Sequence, residues 1–168
     1  EQIFENPNII VRSFPLKHKI PCTGFVFKQP PQPRRINPKA IEKYNIPKYA
    51  INRLKTGADF ADEHGKTIEN SLLTHDSLPS FSYAYCSDTA FFEEILPEIN
   101  KVTLLYHEAT FIEKDKKLAH KTLHSTANDA GTIAKKANAN SLIIGHFSNR
   151  YHDLSLLLEE AQQVFKNT

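Results

Sequence analysis

The sequence has no methionine and only two cysteines in its 168 residues. No apolar run approaches the roughly 18 residues that a bilayer span requires. Each absence excludes something. A chain that begins at Glu1 and has no Met anywhere is expected to be a piece of a longer product. Cys22 and Cys86 are too few for a disulfide framework and lack a Cys-x-x-Cys spacing, so a reducing, cytoplasmic compartment is expected. No charged start followed by an apolar segment marks a signal peptide, and no membrane partner is expected. Cys86 stands two residues before Asp88 on one strand face, where a small buried apolar side chain is the ordinary role of a cysteine.

The length is one domain's worth or half of a larger one, and 40% hydrophobic residues suffice for a core. The formal charge of +2 hides an asymmetry. Between Lys28 and Lys55 eight basic residues (Lys28, Arg34, Arg35, Lys39, Lys43, Lys48, Arg53, Lys55) face one acidic residue, Glu42, leaving the remainder of the chain at −5. Five of the ten prolines fall there too, with Tyr44 and Tyr49 interspersed. Pro38 to Tyr44, with proline at an early helical position, and Tyr49 to Lys55 each suit a short helix. Such a stretch supplies little core and is expected to project as an arm over residues 28–57. It reads either as a solvated, Pro-stiffened loop or as a basic, aromatic-bearing grip on a nucleic-acid backbone. Residues 59–76 follow as a hairpin and linker, whose His64 and His75 read as exposed loop histidines.

Strands are expected over Asn8 to Leu16 and Thr23 to Phe27, which puts His18 at a strand end or in a turn. From Ser80 onward strands and helices alternate. Ser80 to Cys86 runs into Ser87-Asp88-Thr89, Val102 to Tyr106 into His107-Glu108-Ala109-Thr110, and Ser141 to Gly145 into His146-Phe147-Ser148. Helical spacing predicts Phe91 to Ile99, capped by Asp88 or Thr89, and Thr126 to Ala137, opened by a Thr126/Asp129 capping box. A closing helix, Leu154 to Phe165, is expected to lay Leu154, Leu157, Leu158, Ala161, Val164 and Phe165 on the sheet. In a parallel α/β sheet the carboxyl ends of neighbouring strands open onto one crevice, so Asp88, His107 and His146 converge there with His124 at a helix start. Taken singly, Asp88 suits an N-cap and His146 a structural histidine. Together an acid and three imidazoles suit Zn²⁺ and a metal-dependent hydrolase.

Four motifs in this order, Tyr85-Cys86-Ser87-Asp88-Thr89, His107-Glu108-Ala109-Thr110-Phe111, His124-Ser125-Thr126 and His146-Phe147-Ser148-Asn149-Arg150-Tyr151, resemble the carboxy-terminal half of the ribonuclease Z family. These are tRNA 3′-processing endonucleases of the metallo-β-lactamase superfamily. Pro15-Leu16-Lys17-His18 and the Pro-rich arm extend the resemblance over nearly the whole chain. It implies an α/β fold, the carboxy-terminal half of a metallo-β-lactamase-like αββα sandwich, spanning 1–168. It further implies two zinc ions per complete site, with His18 on one, His146 on the other and Asp88 bridging both. His124 would protonate or stabilise the leaving oxygen, oriented by Glu108, while His107 would be structural support. Arg34, Arg35 and Lys39 of the arm would hold precursor tRNA, and Ser148 and Arg150 a substrate phosphate, although an Arg in a packed turn is an ordinary alternative. A homodimer is implied as well. Two departures stand out: the family's upstream His-x-His-x-Asp-His motif is absent, which predicts weak zinc binding and inactivity for this segment alone, and Asn45-Ile46-Pro47-Lys48-Tyr49 replaces a Gly-Pro-rich arm tip. The competing expectations are another phosphodiesterase of the same fold, or a tRNA-binding module without chemistry.

Overall fold

The computed structural model describes residues 1–168. In chain order the elements begin with β1 (Gln2–Asn6), β2 (Ile9–Leu16), β3 (Cys22–Lys28), β4 (Arg35–Ile36), α1 (Pro38–Lys43) and α2 (Ile51–Lys55). Next come β5 (Phe60–Ala61), β6 (Thr67–Ile68), α3 (Asn70–Leu73), β7 (Thr74–His75), β8 (Ser82–Cys86) and α4 (Leu96–Ile99). The series ends with β9 (Leu104–Glu108), α5 (Lys116–Thr122), α6 (Ala127–Lys136), β10 (Ser141–Gly145) and α7 (Ser155–Val164). No helix is long and apolar enough to cross a membrane. The chain divides into two compact units, Glu1–Pro30 with Phe81–Thr168, and Pro31–Ser80.

The larger unit holds a six-stranded sheet in the order β1-β2-β3-β8-β9-β10. Short connections make β1, β2 and β3 antiparallel neighbours, and β3 pairs antiparallel with β8. The helical crossovers between β8, β9 and β10 make those three parallel. Cys86 therefore pairs with His107 and Gly145 with Glu108, which brings the three carboxyl ends to one rim. Two antiparallel reversals return the end of β2 to that rim, so the turn carrying His18 joins it.

Strand alternation sorts the side chains. Val26, Ala84, Cys86, Leu105 and Leu142 face a core completed by Ile95, Ile99, Ala127, Ala130, Ile133 and Ala134. Cys86 is fully buried, as expected, and burial pushes its thiol up to about 12. The alternate positions form a second face: Phe27 stacks on Tyr83 at 6.0 Å and Tyr85 on Tyr106 at 4.9 Å, next to Ile143. Tyr85 and Ile143 are 36% and 47% exposed, so this face is a largely apolar surface open to solvent.

Helix α6 carries the expected capping box, Thr126 and Asp129 each bonding the other's backbone N–H. Two expectations need correction. Neither Asp88 nor Thr89 caps the helix that follows β8. That segment opens as a 3-10 turn at Glu93 after Phe92, and Thr89 instead accepts the Lys17 N–H. Helix α7 packs mainly on α6: Leu157 and Ala161 are fully buried, whereas Leu154 and Leu158 are 44% and 40% exposed.

The smaller unit is more than an arm. Ala40, Ile46, Ala50, Leu54, Ile68 and Leu73 form a core of their own. Asn70 ties it together by donating to the carbonyls of Leu54 and Ala58 at 2.9 and 2.7 Å. Pro38 opens α1 under an Asn37 side-chain cap, the expected hairpin is β5–β6, and the expected linker is α3 with β7, which pairs with β4. The unit is therefore wider than 28–57. It carries eight Lys and Arg against six Asp and Glu, so most of the charge block read from the sequence is diluted within it.

A Cβ at Gly131 would lie 2.9 Å from the Ala161 carbonyl oxygen and 3.2 Å from Val164 Cβ. Gly131→Val should force α6 and α7 apart and cost about 1–3 kcal/mol despite the better helix propensity of valine, as a lower urea midpoint will show.

Candidate metal centre

The rim is built around Glu108, whose side chain is fully buried at the end of β9. Its carboxylate accepts from the Thr89 N–H (3.0 Å), the Thr110 N–H (2.9 Å), the Thr110 hydroxyl (2.7 Å) and His124 Nδ1 (2.7 Å). Burial opposes its ionisation, but the bonds from His124, Thr110 and Thr89 outweigh burial and hold the carboxyl below its ordinary value. The same bond from Glu108 raises His124 against partial burial.

Three imidazoles are oriented alike. His18 Nδ1 bonds the Leu123 carbonyl at 2.8 Å, His124 Nδ1 bonds Glu108, and His146 Nδ1 bonds the Thr110 hydroxyl at 2.9 Å. Because the Thr110 hydroxyl proton goes to Glu108, that oxygen accepts from His146. Each ring thus donates through Nδ1 and keeps Nε2 as its open nitrogen, the arrangement in which an outer partner fixes a ligand histidine. His146 itself adopts φ +61°, and Leu123, which carries the carbonyl for His18, φ +60°. The rings of His18 and His146 lie 4.8 and 5.3 Å from that of His124.

Asp88 Oδ1 stands 3.4 Å from His146 Nε2. Two ligands bound tetrahedrally to one zinc at about 2.0–2.1 Å lie roughly 3.3 Å apart, so this pair fits a shared ion. Ligand atoms of His18, Asp88 and His124 fall within 4.8 Å of one another, as do those of Glu108, His124 and His146. The nitrogen and oxygen donor set suits zinc. Glu108, saturated with four donors, is the least available of these groups.

The structure therefore brings together His18, Asp88, Glu108, His124 and His146. His107 stays outside: it is fully buried, its Nδ1 bonds the Glu108 carbonyl at 2.7 Å, and burial lowers its pKa. Arg150 lies 5.1 Å over the Phe111 ring, donates to Ser148 Oγ at 3.2 Å and sits 3.9 Å from Asp115. In the smaller unit Arg34 bonds Asp76 at 2.6 Å and Thr74 at 2.7 Å, and Arg35 bonds the Asp76 carbonyl. Both arginines thus brace β4 against β7, while Lys39 is exposed. Sequence reading assigned no role to Thr110, which relays Glu108 to His146. Its spacing two residues after Glu108, just past a strand end, was the available signal.

No protein-family profile matches the chain. Among solved structures it resembles a metallo-β-lactamase fold protein of Bacillus subtilis, with TM-score 0.62 at 16% identity, covering 99% of this chain and 47% of that one. It also resembles the short form of human tRNase Z, with TM-score 0.55 at 20% identity over 89% of this chain and 39% of that one. The fold is accordingly that of the metallo-β-lactamase proteins, and the rim site is where its strand ends converge. The sequence goes further. It is 45% identical to ribonuclease Z of Bacteroides fragilis and 46% identical to ribonuclease Z of Porphyromonas gingivalis, in each case over 99% of this chain and 55% of the relative. The chain is thus similar to ribonuclease Z over nearly all of its own length, and it spans about half the length of the curated relatives it matches.

The pH behaviour of the pair follows from the two shifts. His124, raised above its ordinary 6.5, contributes stability that is complete below that value and fades as pH rises through the higher folded one. Glu108, lowered from 4.5, contributes stability present above that value and lost as pH falls through the lower folded one. Glu108→Gln in metal-free protein should move the His124 NMR titration downward. It should also cost about 1–3 kcal/mol, because an amide cannot accept from all four donors.

Proposed function

We propose that this chain is the carboxy-terminal part of a zinc-dependent endoribonuclease that removes the 3′ trailer of precursor tRNA by phosphodiester hydrolysis. The carrying observation is the pairing of Glu108 with His124 at 2.7 Å beside Asp88 and His146 at 3.4 Å, which sets a proton carrier next to a metal-ligand pair. The names of the relatives supply the substrate class, and they speak for those proteins. Zinc is the metal in this reading, two ions per complete site, with His18, Asp88 and His146 as this chain's ligands. When bound, zinc supplies Lewis-acid polarisation of the scissile phosphate.

The chain's own residues do the rest. Glu108 holds the His124 Nδ1–H and favours the imidazolium, so His124 carries a proton on Nε2 toward the site. As the phosphorus–oxygen bond breaks, that proton passes to the leaving oxygen while water adds its hydroxyl to phosphorus. The base that takes the water proton belongs to the His-x-His-x-Asp-His segment. That segment also supplies the remaining zinc ligands and covers the open aromatic face of the sheet. Alone, the chain binds zinc weakly and is inactive. The enzyme acts as a homodimer in the cytoplasm, in keeping with two free cysteines. The smaller unit grips tRNA through Lys39 and Arg35, with Ser148 near the substrate phosphate.

Joining the chain to the amino-terminal half of the Bacteroides fragilis relative should give near two zinc ions per chain and cleavage of precursor tRNA. His124→Ala should then lower kcat by about 10²–10⁴-fold with zinc content kept. No metal uptake would favour a binding module. In the same protein Lys39→Glu should weaken tRNA cleavage and flatten its salt dependence while sparing a small phosphodiester substrate. Equal loss on both substrates would point to a general phosphodiesterase instead.

A further inference from the structure

The loop that carries His146 is held by a run of cross-ties to the loop that follows β9. The Ala109 N–H bonds the Gly145 carbonyl at 2.8 Å, the Thr110 hydroxyl bonds His146, and the Ser148 N–H bonds the Thr110 carbonyl at 3.1 Å. Beyond these, Arg150 lies over Phe111, whose ring stands edge-on to His124 at 6.2 Å. The last tie is Tyr151: its hydroxyl accepts the Ile112 N–H at 3.3 Å and donates to Asp115 Oδ2, and its own N–H bonds the Ser148 carbonyl at 3.1 Å. Asp115 stands in the 3-10 turn Glu113–Asp115 that leads into α5, the helix whose end presents the Leu123 carbonyl to His18.

We propose that Tyr151 is a positioning residue for the metal centre, its hydroxyl clamping the 146–151 loop to the 109–115 loop so that His146 Nε2 is held at ligand distance from Asp88. This rests on reading His146 and Asp88 as zinc ligands. His146 sits in a left-handed conformation that costs a non-glycine residue energy, so its surroundings must hold it there. One hydrogen bond, given by its Nδ1 to the Thr110 hydroxyl, orients the ring, with His124 stacked on it at 5.3 Å and Asp88 3.4 Å from its Nε2. The remaining restraint comes from the loop, whose far end is fixed by Tyr151. Its hydroxyl stays a donor, since burial and the Asp115 carboxylate push its pKa up to about 12.

The test is hydrogen exchange of the chain, and zinc titration of the chain joined to the amino-terminal half of the Bacteroides fragilis relative, each with Tyr151→Phe. In zinc-free protein the Ser148 and Tyr151 amides should exchange about tenfold faster while the α6 amides keep their rates, and zinc affinity should fall by about tenfold. Asp115→Asn, which keeps an acceptor for the hydroxyl but removes the charge facing Arg150, should stay within about threefold of the parent in both readouts. Unchanged loop exchange, faster exchange spread equally over α6, or a loosened loop with unchanged zinc affinity would each overturn the proposal. So would an Asp115→Asn protein as impaired as Tyr151→Phe. Neither readout needs catalysis, so the clamp can fail while the ribonuclease reading stands; absence of zinc binding by the parent chain joined to an amino-terminal half would sink that reading instead.

Discussion

A buried carboxylate with four donors is the constraint on which the rim depends. Glu108 sits at the end of β9, and its partners come from the loop after β8, the loop after β9 and the segment before α6. An ionised group in that position is tolerable only because every donor is present. The stakes are therefore cooperative: the loops stay where they are because the charge needs them, and the charge stays because the loops supply the donors. The sheet beneath fixes the spacing, since parallel register sets Glu108 opposite Gly145 and His107 opposite Cys86.

From that anchor, order spreads outward through hydrogen bonds of fixed direction. Thr110 donates a hydrogen bond to Glu108 and accepts one from His146. Leu123, at the left-handed end of α5, turns a carbonyl toward His18. The consequence for function is that His18, His124 and His146 each spend Nδ1 on an outer partner, which leaves His146 Nε2 facing the partly exposed Asp88 at 3.4 Å. A site in which outer partners set the tautomer binds a cation without first reordering its ligands.

Much of this was legible beforehand, and particular residues show why. Apolar runs with flanking polar residues marked the strands, and Ala127, Ala130, Ile133, Ala134 and Ala137 at helical spacing marked α6, because periodicity is a local consequence of burying one face. Chain order plus the parallel-sheet rule then predicted that Asp88, His107 and His146 would share a rim with His124; the rim is there, but His107 is turned into the interior and Glu108 takes its place. What local pattern could not carry was competition for partners. Asp88 looked like a helix cap, yet the helix began five residues later. Leu154 and Leu158 looked like core, yet α7 met α6 through Gly131 and Ala161. Arg34 looked like a free cation, yet Asp76, far along the chain, neutralises it.

By itself the sequence determined the order of strands and helices, the donor atoms available for a metal and the likeness to ribonuclease Z, since these depend on residue type and near-neighbour spacing. Tertiary structure alone decided which ring nitrogen faces the site, that Thr110 is the relay, and that residues 31–80 form a unit with its own core instead of a bare arm. The physical reason is the same in each case: a hydrogen bond or a buried contact between residues distant in sequence is chosen by three-dimensional competition among many partners, and spacing along the chain does not encode its outcome.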